Sequence, residues 1–147
     1  MWKVKQFNEL SVNELYKIMY LRVATFVVEQ DRVYQEIDQD DLKAFHVFKV
    51  DHDDEIVAYG RIFPIGKNTV TFGRVVTSQK VRGKGVGKEL LQEIMQAIKE
   101  HFPNKKIEIH AQAQVKGYYE QAGFKVEGDE FIFESTPHIK MVHGGIK

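Results

Sequence analysis

Cysteine is absent from the 147 residues, which excludes disulfides, a thiolate nucleophile and cysteine-ligated zinc. With only 3 prolines and no low-complexity tract, no linker is legible, and a single domain over residues 1–147 is expected. No apolar run approaches the roughly 20 residues that span a bilayer, and the N-terminal residues lack a signal-peptide layout. A cytoplasmic protein with no membrane role is therefore predicted. Charge of one sign is not in excess either: 21 basic residues balance 21 acidic ones, with a pI near 7.0. A chain built to coat nucleic acid carries a basic surplus, so no direct nucleic-acid role is expected. No two histidines stand at the spacing of a helix-face metal site, and no metal is expected.

What is present is an ordinary globular composition, 43% hydrophobic and 29% charged. The charge is unevenly placed. Residues 1–70 hold 9 basic and 12 acidic side chains, and residues 71–147 hold 12 and 9. Glu29, Asp31, Glu36, Asp38, Asp40 and Asp41 crowd one window against Arg32 alone, whereas Arg74, Lys80, Arg82, Lys84 and Lys88 fill another without an acid. Opposite blocks of this kind suggest an anion held in one place and a cation in another.

Periodicity gives an α/β order of elements. Trp2, Val4 and Gln6 alternate with Lys3, Lys5 and Phe7 as a first strand. Ser11 and Glu14 form a capping box ahead of a helix over 12–29, and the acidic segment 31–43 reads as a loop or short helix. Strands over 44–50 and 55–63 flank a polar turn, and 69–77 is rich in β-branched residues, an antiparallel meander. Val86, Leu90, Leu91, Ile94, Ile98 and Phe102 make a helical stripe that Pro103 stops, and Ile107, Ile109 and Ala111 alternate as the next strand. Strand, glycine loop, helix and strand amount to a βαβ unit with parallel strands. A short helix over 115–121 ends at Gly123, and strands over 124–126 and 130–141 close the chain. The sheet is expected to be mixed and mostly antiparallel.

The stretch Arg82-Gly83-Lys84-Gly85-Val86-Gly87-Lys88 opens the second long helix. Alternate glycines remove the β-carbons that keep a ligand from the backbone. Successive N–H groups then converge on an anion at a helix N-terminus, where the dipole also favours negative charge. The spacing fits neither a Walker loop nor the dinucleotide fingerprint. A purely structural glycine turn is the bland alternative.

Arg82, Gly85 and Gly87 resemble the pyrophosphate-binding motif of the GCN5-related N-acetyltransferases, arginine/glutamine-x-x-glycine-x-glycine/alanine. Tyr118-Tyr119-Glu120-Gln121-Ala122-Gly123-Phe124 resembles the aromatic-tyrosine signature that follows the family's fifth strand. The runs Leu21-Arg22, Phe26-Val27-Val28-Glu29-Gln30 and Gly73-Arg74-Val75-Val76, with Pro137-His138-Ile139-Lys140-Met141, look like the ElaA-like subfamily. The stretch 118–141 is also similar to bacterial glyphosate N-acetyltransferases. Asp31-Arg32-Val33 stand where ElaA-like chains often carry a cysteine, so any role for that thiol is absent.

The resemblance implies a GNAT fold and acetyl-CoA as cosubstrate, gripped by Val75, Val76 and Thr77 and by Gly83, Lys84, Gly85, Val86, Gly87 and Lys88, with Arg82 and Gln112 in contact. Val76 is the candidate N–H donor to the thioester oxygen. Tyr119 matches the family's general acid. His138 is the best base, since its ordinary pKa suits proton acceptance at neutral pH. His110 and His46 are rivals near the acceptor. Glu29, Glu36 and Asp38, with Asp41, fall where the fold builds its acceptor pocket and suit a cationic amine. The implied reaction is acetyl transfer to a primary amine by direct attack. A non-catalytic CoA-binding regulatory module and an acetyltransferase acting on a protein amine stay open as alternatives. Homodimers are common in the family, although no exposed apolar stripe is legible that demands one.

Overall fold

Ser11 accepts a hydrogen bond from the Glu14 N–H and Glu14 accepts one from the Ser11 N–H, so the expected capping box starts α1 (Val12–Arg22) in the computed structural model, which describes residues 1–133 and 135–147. The helix continues through Val23–Glu29 with wider π turns: the Gln30 N–H reaches the Thr25 carbonyl and the Arg32 N–H the Val27 carbonyl. The extra residue per turn keeps both Thr25 and Phe26 on the buried face. The helix expected over 12–29 therefore has the right extent, but its second half is π-wound. Contrary to the expectation of no exposed apolar stripe, Val12, Tyr16 and Tyr20 project from the outer face of α1. That helix is apolar on more than one side, and Ile18 and Leu21 take the buried one.

The strands are β1 (Trp2–Gln6), β2 (Phe45–Val50), β3 (Ile56–Pro64), β4 (Thr69–Thr77), β5 (Lys106–Gln112), β6 (Lys125–Val126), β7 (Phe131–Phe133) and β8 (Thr136–His143). They form a single sheet in the order β1-β2-β3-β4-β5-β8-β6, with β7 also paired to β8. Among the described residues, only β4 and β5 run parallel. The other helices are α2 (Asp40–Lys43), α3 (Val86–His101) and α4 (Lys116–Glu120). The mixed, mostly antiparallel α/β architecture is the expected one. One strand differs: the segment 130–141 is not continuous but folds back, with Phe133 facing Thr136 and Ser135 at a φ of +67°. That left-handed residue makes the reversal, and alternation of apolar side chains does not reveal it.

Both faces of the central strands are buried. Val47, Ala58, Ile62, Phe72 and Ile107 pack under Leu90, Ile94 and Ile98 of α3. Phe48, Tyr59 and Val76 pack under Ile18, Leu21 and Phe26. Each buried Val, Leu, Ile or Phe among them contributes roughly 1.5–3 kcal/mol. Gly60 allows α3 to approach, since a β-carbon there would stand 2.7 Å from Ile94 Cδ1. No helix among the described residues is long and apolar enough to cross a membrane.

Candidate active site

The parallel pairing of β4 and β5 is short. Thr69 faces Lys106 and Val70 faces Ile107, and there the ladder ends. Beyond it the strands part around a cleft of about 660 Å³. Its walls include Val75, Val76 and Thr77 from β4, His110 and Gln112 from β5, and Tyr119 and His138. Residues from both halves of the chain, expected to act together, thus meet in one place.

β4 carries one residue too many for its partner. Tyr59 faces Val76 and Arg61 faces Gly73, so Arg74 and Val75 together oppose Gly60. Arg74 takes a φ of +52° at this bulge. The Ser78 N–H bonds the Val57 carbonyl at 2.8 Å. Antiparallel alternation then turns the Val76 N–H back to β3 and leaves the Val75 and Thr77 N–H groups on the cleft side. The expected thioester donor is corrected accordingly: Val76 spends its N–H within the sheet, and Val75 and Thr77 face the cleft.

The glycine loop leads from β4 to α3. Gly83 and Gly85 both adopt a φ of +80°, and a β-carbon on either would meet nothing within 4 Å. The opening N–H groups of α3 have no partner within the helix. Of the five bases in the positive window, Arg74 pairs with Glu36 and Asp38, Lys80 with Asp51 and Glu55, and Arg82 with Glu29. Lys84 and Lys88, inside the loop, have no ion-pair partner among the described residues. The loop thus combines open backbone, free N–H groups and two unpaired cations, the donor set a pyrophosphate needs. Gly87 and Lys88 also border a separate groove of about 550 Å³ between α3 and α4.

The adjacent tyrosines take different environments. The Tyr118 hydroxyl donates to the Gly87 carbonyl, latching α4 to the first turn of α3, and burial pushes its pKa up to about 12. Tyr119 packs against Phe72 and Phe124 and lines the cleft, with no hydrogen-bond partner for its hydroxyl among the described residues. Burial, and secondarily Tyr118, push its pKa well above the ordinary value, so it carries its proton at neutral pH. The turn after α4 closes on Gly123, at a φ of +95°, with the Phe124 N–H reaching the Tyr119 carbonyl.

His138 stands directly across β8 and β5 from Gln112. Its Nδ1–H donates to the Thr136 carbonyl at 2.8 Å, which leaves Nε2 as the acceptor nitrogen. Phe131 and Phe133 pack on its ring. Burial lowers its pKa, against the Thr136 bond and with help from Arg32 and His110, so the ring is neutral at pH 7. His110 lines the cleft beside Phe131.

The acceptor-side expectations change most. His46 is fully buried: its Nε2–H donates to the Asp41 carbonyl at 2.9 Å and its Nδ1 accepts from the Tyr59 hydroxyl at 2.5 Å. Both nitrogens are spent in the core, and the ring cannot touch an acceptor. Glu36 and Asp41 are buried as well, because guanidiniums claim them. Arg22 Nε lies 2.8 Å from Glu36, and Arg22 and Arg61 reach Asp41 at 2.7 and 2.9 Å. Burial works against the Asp41 charge, but these arginines outweigh it and hold its carboxyl below the usual range. Removing one member of such a buried pair costs about 3–5 kcal/mol. Glu36 and Asp41 therefore act structurally. Asp38 is different: it bonds Arg61 and Arg74 yet lines the cleft, its carboxyl also held low by those arginines against burial. Glu29 is tied to Arg82 at 2.9 Å, and Gln112 reaches across the cleft mouth to Gln30 at 3.3 Å.

The sequence reading missed Gln30, Tyr34, Arg61, Phe63 and Phe133, which also line the cleft. No spacing rule finds them, because they come from the end of the first helix and the loop after it, from β3 and from β7, which only the fold brings together. No group of histidine and acidic residues among the described residues is arranged to hold a metal.

A sheet splayed at its parallel pair, with a glycine loop opening the following helix, is the arrangement of an acyltransferase. Residues 8–143 match the family model described as an acetyltransferase (GNAT) domain, and the chain belongs to that family, in its ElaA-like branch. It is 37% identical over 144 residues to the protein ElaA of Escherichia coli, covering 95% of this chain and 94% of that one. The crystal structure of E. coli ElaA superposes with a TM-score of 0.91 at 36% identity over 97% of both chains. An acyl-CoA N-acyltransferase from Pseudomonas aeruginosa superposes equally well, with a TM-score of 0.91 and 32% identity over 98% of this chain and 99% of that one.

Proposed function

We propose that this chain transfers an acetyl group from acetyl-CoA to a small cationic primary amine by direct attack, as a single catalytic domain. The observation that carries the reading is the meeting of Tyr119, His138 and the freed Val75 and Thr77 N–H groups in one cleft whose mouth lies beside an open glycine loop. The glycine loop and Lys84 and Lys88 would hold the pyrophosphate, and acetyl-CoA would supply an acyl group already activated as a thioester. The Val75 and Thr77 N–H groups then offset negative charge developing on the thioester oxygen. The amine attacks in its neutral form, its ammonium having first given one proton to solvent, and His138 Nε2 accepts the second proton that the nitrogen loses as its bond to the acyl carbon forms. The carbon–sulfur bond breaks, and the Tyr119 hydroxyl gives its proton to the departing thiolate. Asp38, Asp40 and Glu108 line the cleft, and although Asp38 is bonded to Arg61 and Arg74, Asp40 to Lys43 and Glu108 to Lys140, they are the carboxylates a cationic amine would meet there.

Calorimetry with acetyl-CoA, followed by thiol-release assays against a panel of amines, tests the proposal. Binding with CoA release on one small cationic amine supports it. Release only with a peptide or protein amine favours a protein acceptor, and binding without turnover on any amine favours the regulatory module. Absence of binding refutes it.

A further inference from the structure

Among residues outside the glycine turns of the site, Arg74 has the least expected backbone. A side chain with a β-carbon rarely adopts a φ of +52°, and arginine has no short polar group to stabilise it locally. Such a conformation persists where surrounding contacts over-determine it. Here those contacts come from one segment, the loop leading into α2. Arg74 Nε lies 3.0 Å from the Glu36 carboxylate, and its terminal nitrogen donates to the Glu36 carbonyl at 3.0 Å and to Asp38 at 3.3 Å. The guanidinium also lies over the Tyr34 ring at 5.6 Å. Glu36 is itself anchored, by Arg22 at 2.8 Å and by the Tyr34 hydroxyl.

The bulge has a definite consequence for the cleft. Below it, Gly73 faces Arg61; without the extra residue the same register would run on and set Val75 opposite Tyr59. The Val75 and Thr77 N–H groups would then be spent on β3. The inserted residue shifts the alternation by one and turns both groups into the cleft.

We propose that Arg74 is a positioning residue: its guanidinium, anchored on Glu36 and Asp38, holds β4 in the left-handed bulge that frees the Val75 and Thr77 N–H groups for the acyl donor. This role rests on the acetyltransferase reading above. It makes the acceptor-side loop the mechanical support of the donor site, and it gives Glu36 a purpose although Glu36 touches no substrate.

Comparison of Arg74→Gly with Arg74→Ala tests the role. Both lose the anchor, but glycine adopts a positive φ freely and alanine does not. The glycine variant is expected to keep acetyl-CoA affinity and kcat within about threefold of wild type. The alanine variant is expected to lose about tenfold or more in kcat. In the wild type and glycine variant, the Val75 and Thr77 amide resonances should shift on adding acetyl-CoA. If the guanidinium only supported the fold, glycine would be the worse replacement within a strand, so equal variants or the reverse order overturn the proposal. Should the alanine variant not fold, the glycine variant decides alone: retained affinity supports the role and lost affinity refutes it. Wild-type protein that fails to bind acetyl-CoA refutes the acetyltransferase reading and this role with it, whereas binding wild type with indistinguishable variants removes only the role of Arg74.

Discussion

Arg82, from the basic window, donates to Glu29, from the acidic one, at 2.9 Å across 53 residues of sequence. The pair joins the π-wound end of the first helix to the segment that enters the glycine loop. Arg82 Nε also donates to the Thr77 carbonyl at 3.2 Å. Arg82–Glu29 and the pairs of Arg74 with Glu36 and Asp38 join the two charge blocks. The charge left in the basic block for an anion is concentrated in Lys84 and Lys88.

Replacing Glu29 with glutamine should tighten acetyl-CoA binding severalfold at low salt. The carboxylate that competes for the Arg82 guanidinium is gone, and the positive field at the glycine loop grows. Because the pair is exposed, thermal stability should change little. Calorimetry at two salt concentrations measures both the gain and its screening. Weaker binding would instead make Glu29 a group that orients Arg82.

His138 must be neutral to accept a proton. Its pKa is lowered from 6.5 by burial, so turnover should rise with pH along a limb lying below pH 6.5 and level off above it. His138→Ala should cut kcat by about 10²–10⁴-fold, leave acetyl-CoA affinity intact and abolish that limb. A variant with the wild-type pH profile would move the base to another residue, His110 first.

At Gly85, size, charge and backbone conformation can be separated. Alanine there must adopt a φ of +80° and should cost about 1–2 kcal/mol of stability. Glutamate carries the same backbone cost but also puts a negative charge in the cradle, and acetyl-CoA binding should vanish while the protein stays folded. Thermal unfolding and calorimetry on both variants separate the two effects. Retained binding in Gly85→Glu would place the pyrophosphate elsewhere.

Glu14 links stability to pH at the opposite side of the molecule. Burial disfavours its charge, but the Ser11 N–H and the Lys5 and Lys3 ammoniums prevail and lower its pKa from 4.5 to about 2. A depressed carboxyl stabilises the fold fully above the unfolded pKa and loses that contribution as pH falls through the folded one. The difference in Tm between wild type and Glu14→Gln should thus hold above pH 4.5 and shrink as pH falls toward about 2. A difference unchanged over that range would assign the capping role to the hydroxyl of Ser11 alone.

The sequence by itself determined the parts whose physics is local. The capping box at Ser11, the stripe from Val86 to Ile98 and the glycines at 83 and 85 each act within a turn or two of their own chain. Their spacing therefore announces the helices, the sheet class and the anion cradle, and the tyrosine pair and His138 follow from the family motifs they belong to. Only the tertiary structure decided how charges pair and where backbone groups point. Arg22 meets Glu36 and Asp41, and Arg74 meets Glu36 and Asp38, across 14 to 38 residues, through sheet register that no window of sequence contains. Those pairings bury Arg22, Glu36 and Asp41, and His46 beside them is taken up by the core. The single extra residue at Arg74 likewise leaves no mark on the alternation of side chains. It counts only against β3, where it decides whether Val75, Val76 or Thr77 has an N–H to offer.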